Sequence, residues 1–223
     1  FNSNKIENLI FAFPRLQGMN STYIDKFTDP IIENTSLKNS YLIFQRHLAG
    51  SHRTPRLHEE SVVKTDFFEI ESKIIGLFIA PIVFLIYFRK IISTYYRAKD
   101  YFNLNYKNLI SIIIRLSTFI ISYLSYLLVF LKLRPTRVIL VDREIFYPII
   151  LACNKLGITT YELQHGVTFS WTPLYSGKFD KKIDPDFFLC FGDIFKGKQF
   201  GIPIDQIINI GWAHWEMLRK NSQ

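Results

Sequence analysis

The sequence predicts an α/β fold, a Rossmann-like parallel sheet with a long helical hairpin inserted in it. Three observations carry this. Short β-branched and aromatic runs recur, each followed by glycine or polar residues. Between two of them, apolar residues fall at helical spacing. Upstream lie two long apolar stretches that cannot be strands.

The central unit runs from Arg137 to Val167. Arg137 to Val141 reads as a buried parallel strand. Asp142 to Tyr147 reads as a loop, and Pro148 suits a first helical turn. Ile149, Ile150, Cys153 and Leu156 share one helix face, and Gly157 stops that helix. A second strand, from Ile158, breaks into Gln164-His165-Gly166. Strand–helix–strand crossovers are almost always right-handed with parallel strands, so both carboxyl ends fall on one sheet edge. Asp142, Glu144 and His165 are therefore expected at one crevice. Phe187 to Phe191 reads as a third strand, ending in Gly192-Asp193, and Ile207 to Ile210 as a fourth, ending in Gly211-Trp212. Ligands of open α/β sheets bind outside the carboxyl ends of the strands.

Earlier in the chain, Asn8 to Phe13 and Tyr41 to Gln45 read as strands, and Val62 to Phe67 as a possible short one. Tyr23 to Asn34 reads as a helix interrupted at Asp29-Pro30. The polar stretch Arg46 to Glu60 holds His47, His52 and His58, but no ligand pair at helical spacing, so no metal site is expected. Cys153 and Cys190 read as core residues of a reducing compartment, and no secretory signal is visible at the start as given. After the motif, Thr168 to Asp184 reads as a loop whose Trp171 and Tyr175 either stack on a sugar or pack as a lid. Asp193 suits the cap of a helix from Ile194 to Phe200, and Trp212 to Gln223 reads as a short helix.

Ile74 to Phe88 and Leu116 to Leu131 are 15 and 16 residues without a charge. They fit a hairpin over 68–133 that turns near Asp100 to Asn105, with Pro81 expected to kink its first helix. Each run is shorter than the roughly 20 residues of a membrane span. Between Lys73 and Arg137 stand ten Lys or Arg and one acid, Asp100. That segment carries +9 of a net charge of +8. Cations interleaved with apolar runs suit an anionic membrane surface better than nucleic acid. The hairpin reads as buried domain helices, as an amphipathic arm on the cytoplasmic membrane face, or as two spans.

The runs Ala152 to Ile158, Glu162-Leu163-Gln164-His165-Gly166-Val167, Pro185 to Asp193 and Ile210-Gly211 resemble bacterial GT-B glycosyltransferases of surface-polysaccharide synthesis, of the capsule and O-antigen kind. More distantly, Gln164-His165-Gly166 is similar to the Trp-His-Gly of teichoic-acid glycerophosphotransferases. The resemblance spans Arg137 to Gly211, about a third of the chain. It implies an acceptor-side domain, with the nucleotide-sugar donor bound mostly by a second, C-terminal domain that this sequence is expected to lack. The chain alone is then expected to be inactive. The donor is a co-substrate, and no tightly held cofactor is implied. The acceptor is a glycan or a lipid-linked glycan.

On this reading His165 is the base that takes the acceptor hydroxyl proton, and Asp142 or Glu144 orients it or replaces it. Glu162, three residues before His165, points to the opposite sheet face and is structural. Gln164, Gly166, Trp171, Tyr175, Gly192, Asp193 and Gly211 contact substrate or shape the turns. A retaining route through a carboxylate nucleophile such as Asp142 is the less favoured version. Two other classes remain open: a nucleotide-sugar epimerase of GT-B fold, which needs no basic apolar arm, and a non-catalytic module that docks a glycan assembly complex to the membrane.

Overall fold

The computed structural model describes residues 6–19, 21–34, 37, 40–47, 50–166, 175, 178–195 and 201–221. Seven parallel strands form one sheet. In chain order they are β1 (Asn8–Ala12), β4 (Tyr41–Gln45), β5 (Val62–Lys64), β6 (Arg137–Val141), β7 (Thr159–Leu163), β8 (Phe187–Cys190) and β9 (Ile207–Asn209), and they lie side by side as β5-β4-β1-β6-β7-β8-β9. The chain thus builds outward from β1 in one direction, then returns to its other side and builds outward again. The order reverses between β1 and β6, which puts a topological switch point at the carboxyl ends of those two strands.

Both faces of the sheet are covered. All five residues of β1 are buried, and they alternate. Leu9 and Phe11 point to the face holding α3 (Tyr106–Leu133) and α4 (Arg143–Leu156). Phe11 is the hub there, with Phe44, Phe146, Tyr126 and Phe130 ringed around it at centroid distances of 5.1, 5.5, 5.6 and 6.3 Å. Ile10 and Ala12 point to the other face, against Phe27, Ile32, Ile43, Ile139, Val141 and Leu163. The helix α1 (Asp29–Asn34) covers that side, and α5 (Ala213–Asn221) packs against α1.

Three local expectations are corrected. Thr22–Ile24 is not helical; it forms β3, paired antiparallel with β2 (Gln17–Met19), and Pro30 stands in the first turn of α1 rather than interrupting a helix. The segment after Asp142 is not a loop, because α4 starts at Arg143. Pro148 lies inside α4, and Phe146 departs from helical geometry with φ −115° and ψ 16°. A proline ring clashes with the carbonyl four residues back and leaves it without a donor, so the helix breaks just ahead of Pro148 and restarts. Pro81, by contrast, produces no break: α2 (Asp66–Phe102) is one helix of 37 residues.

The hairpin of α2 and α3 occupies the crossover from β5 to β6. Asn103 takes the left-handed conformation that ends α2, and Asn105 caps α3 by accepting from the amides of Lys107 and Asn108. The helices approach most closely at Gly76, where a side-chain carbon would meet Thr118 Cα at 2.8 Å. Near the sheet, Phe68 lies 5.8 Å from Tyr126, and Glu69, Lys73, Ser122 and Tyr126 share a cavity with Ile145 and Ile149 at the start of α4. Residues 118–133 of α3 therefore lie along the sheet, while 77–102 of α2 and 106–117 of α3 run on past its carboxyl edge. At 1.5 Å per residue the α2 part projects about 40 Å. Both helices are long and apolar enough to cross a membrane, and only 22% and 11% of their most apolar windows are buried. Burial holds for Ser72, Gly76, Ala80, Val83, Ile91 and Tyr95 of α2 and for Ser117, Tyr126 and Phe130 of α3. Elsewhere Phe78, Ile82, Leu85, Ile86, Phe102 and Leu128 are exposed, so the reading of two ordinary core helices is corrected.

Candidate functional site

Parallel register fixes the edge on which the predicted residues stand. Val141 pairs with Leu163, so Asp142 and Gln164 follow at the same level, beside the switch point. Gln164 is fully buried. Its Nε2 donates to Gly166 O at 2.8 Å, and its Oε1 accepts from the Phe191 amide at 2.8 Å. A single amide thus ties the end of β7 to the end of β8 and holds the turn that presents His165. Gln164 serves the turn in this arrangement.

His165 is half-buried and stacks on Phe13, at 5.9 Å and 25° between rings. Phe13 is the residue after β1, and it also touches Phe27 edge-on at 5.7 Å. The imidazole therefore lies over the switch point, on the face opposite α4. Its Nδ1 is buried and has no hydrogen-bond partner among the described residues. Asp142 does not supply one. It sits at φ 74° and caps α4, its carboxylate accepting from the Glu144 amide at 3.2 Å. Glu144 is exposed in the first turn of α4. Among the described residues neither carboxylate is hydrogen-bonded to His165, so the expected orienting contact is not made in this conformation.

Glu162 occupies the other face, as strand alternation requires. Leu140 is its register partner, and both point toward α4. Arg143, the first residue of α4, meets it there. Arg143 Nε donates to Glu162 Oε2 at 2.6 Å and the Arg143 amide to Oε1 at 3.1 Å. Arg143 Nη1 reaches Asp184 at 2.5 Å. Tyr175 donates its hydroxyl to Glu162 Oε1 at 3.1 Å, and its ring lies 5.0 Å from the guanidinium. Burial pushes the Glu162 carboxyl up, against the pull of Arg143. Burial also opposes the charge on Arg143, but Glu162, Tyr175 and Asp184 outweigh it and hold its pKa above the usual range. Tyr175 is only 2% exposed, so its expected place as an open sugar-stacking ring is corrected. Its hydroxyl completes a buried ion pair, and the ring is spent on packing against Arg143 and Phe188. Trp171 lies outside the described residues.

The remaining predicted positions divide. Gly211 has φ +66°, where a side chain would be strained, and its amide donates to Asn209 Oδ1 at 3.0 Å. Gly166 and Gly192 have open space where a Cβ would stand. Asp193 is exposed in a short 3-10 turn over Asp193–Phe195; the rest of the helix expected to Phe200 lies outside the described residues. Trp212 and His214 fold over the carboxyl ends of β8 and β9, Trp212 lying 5.9 Å from Phe191. They leave a cavity of only about 10 Å³ there.

Among the described residues no group of three His, Cys, Asp or Glu could hold a metal ion. The three histidines of the 46–60 stretch go to separate tasks. His52 pairs with Asp66 at 2.6 Å, His47 lies 3.8 Å from the same carboxylate, and His58 contacts Tyr41 and Glu33, each at 3.1 Å. A second buried charge cluster was not foreseen. Arg56 bonds Gln45 and, at 2.6 Å, Asp29, while Asp25 accepts from Phe13, Phe27 and Thr28. Arg56 thus pairs with Asp29, and Asp25 stands beside the pair, its amide donating to the Asp29 carboxylate at 2.7 Å. Comparison with protein-family models, curated proteins and solved structures finds no match to this chain.

Proposed function

We propose that this domain is the acceptor-side half of a glycosyltransferase that moves a sugar from a nucleotide-activated donor onto a glycan or lipid-linked acceptor. The observation that supports it most is His165, half-buried at the carboxyl end of β7 and set over the switch point of a parallel sheet. A neutral imidazole in that place can take the proton from an acceptor hydroxyl. In the inverting reaction that oxygen bonds to the anomeric carbon. The bond from that carbon to the nucleoside diphosphate breaks, and the diphosphate leaves with the electron pair. Asp142 would join the site by turning away from its helix cap.

The hairpin fits an arm on an anionic membrane. Six cations, Arg89, Lys90, Arg97, Lys99, Lys107 and Arg115, stand against Asp100 between its apolar runs. Carrying that loop across a bilayer runs against the positive-inside rule, which favours the interfacial reading over two spans. Because the arm leaves from the carboxyl edge, it would keep the crevice alongside the surface.

The test is turnover in the intact enzyme, read as nucleotide release. His165→Ala should lower it by on the order of 10²- to 10⁴-fold with the fold unchanged by circular dichroism. Unaltered turnover removes His165 from the chemistry.

A further inference from the structure

The carboxyl ends of β4 and β5 carry a second feature that the sugar-transfer chemistry does not use. A cavity of about 130 Å³ opens there, lined by Gln45, His52, Arg53, Arg56, Glu59 and Lys64 among others. Arg56 is 5% exposed, and two of its nitrogens are held by Gln45 and Asp29. Its Nε is buried without a partner, and so is Nδ1 of His52. Arg53 and Lys64 are exposed at the rim, and neither forms an ion pair among the described residues. Arg53 lies over the Tyr23 ring at 5.8 Å, which orients it without neutralising it. The sole carboxylate in the lining, Glu59, accepts from the Arg56 amide at 3.3 Å. Two exposed cations, Arg53 and Lys64, and the unpartnered Nε of Arg56 therefore border a small volume whose lining holds one acid, Glu59, while Arg56 is paired with Asp29 behind it.

We infer that this cavity is a binding site for a phosphate group. Its volume suits one tetrahedral oxyanion and not a nucleotide, and no Phe, Tyr or Trp lines it to stack on a base. Guanidinium groups match phosphate oxygens by paired donation, and a lysine adds a mobile charge. The location suggests what the phosphate belongs to, and this step rests on the transferase reading. The pocket and His165 stand on one sheet edge, with β4 and β7 separated by β1 and β6. Three strand spacings make about 14 Å. A phosphate at Arg53, Arg56 and Lys64 would thus leave an attached sugar extending toward the imidazole. Lys64 also lies two residues before α2 begins, and the His52–Asp66 bond ties the cavity wall to the root of the arm. The site takes the phosphate of an acceptor that arrives along that arm.

The test uses the whole chain in neutral detergent, titrated calorimetrically with inorganic phosphate and, separately, with a long-chain alkyl phosphate carried in the micelles. Wild type should bind saturably, one per chain. Arg53→Gln/Lys64→Gln should weaken binding at least ten-fold, and each single variant should show part of that loss. Both residues are exposed, so folding should survive. Arg89→Gln/Lys90→Gln should leave inorganic phosphate binding unchanged, since those cations lie out on the arm. Preference for the alkyl phosphate assigns the site to a lipid headgroup; equal affinity assigns it to a soluble phosphate. Absence of saturable binding of either probe overturns the site, as does equal loss in the arm variant. Phosphate binding by an intact enzyme that transfers no sugar would overturn the transferase reading alone.

Discussion

Replacing Arg143 by methionine gives the most direct measurement of what the buried network does for the fold. Methionine keeps an unbranched apolar stem in the space of the arginine and deletes the charge. Glu162, fully buried, would then keep only the Arg143 amide and the Tyr175 hydroxyl as donors. Stranding a buried charge in this way typically costs about 3–5 kcal/mol, a large part of the roughly 5–15 kcal/mol by which a domain is stable. The loss should depend on pH with a definite sign. Burial already raises the Glu162 carboxyl above its ordinary 4.5, and without arginine it rises further. Below the ordinary value both folded and unfolded chains carry the proton, and most of the penalty vanishes. As pH climbs past it the unfolded chain ionises freely and the folded one cannot, so stability falls. Urea unfolding followed by circular dichroism in neutral detergent, at acid and at mildly alkaline pH, reads this directly. Arg143→Met/Glu162→Met should recover most of the loss, because removing both partners leaves nothing unpaired in that pair. A single variant within about 1 kcal/mol of wild type, or a double variant no better than the single one, would refute the account.

The second network predicts another pH effect. Burial and the neighbouring Asp25 push Asp29 up from 3.8 to about 7, against Arg56, so wild type should lose stability on the order of 4 kcal/mol as pH rises between those values. Asp29→Asn, compared with wild type by urea titration across that window, should abolish most of the slope; parallel curves would show that Asp29 does not hold the proton. Gly76→Leu should push α2 off Thr118 and lower the unfolding midpoint by the equivalent of about 1–3 kcal/mol, and an unchanged midpoint would contradict the close approach. Arg89, Lys90, Arg97 and Lys99 changed together to Gln should weaken sedimentation with anionic vesicles, each charge contributing about 1 kcal/mol and less in high salt. Wild-type protein that ignores anionic vesicles at low salt, or that resists carbonate extraction, would remove the interfacial arm.

The parts of the fold that rest on short-range patterning were legible in the sequence. The apolar runs of β1, β4, β6, β7, β8 and β9 are bounded by turn residues, and the parallel pairing of β6 with β7 follows from a right-handed crossover. The start of α4 was misjudged because Pro148 looks like a first-turn proline; the helix has two such beginnings, divided at Phe146. The charge networks were invisible for a different reason. Arg143 and Glu162 are 19 residues apart, and Arg56 and Asp29 are 27 apart. Strand alternation marks Glu162 as structural, but nothing local marks Arg143, Arg56 or Asp29 as buried, and only the sheet brings the partners together. Tyr175 went wrong in the same way, because an aromatic on a loop carries no local sign of whether its hydroxyl will find a buried carboxylate.

The placement of the hairpin between β5 and β6 has a consequence for how the chain comes to be folded at all. β1 is the middle of the finished sheet, yet its two neighbours are made at very different times. Asn8 pairs on one side with Tyr41 and on the other with Arg137. At ribosomal rates of about 5–20 residues per second, the second partner follows the first by roughly 5 to 20 s. During that interval one edge of β1 is without its strand while both apolar helices are already leaving the ribosome. The two halves of the sheet can close only after the whole hairpin has been made, so the long-range pairing of β1 with β6 is the slow step.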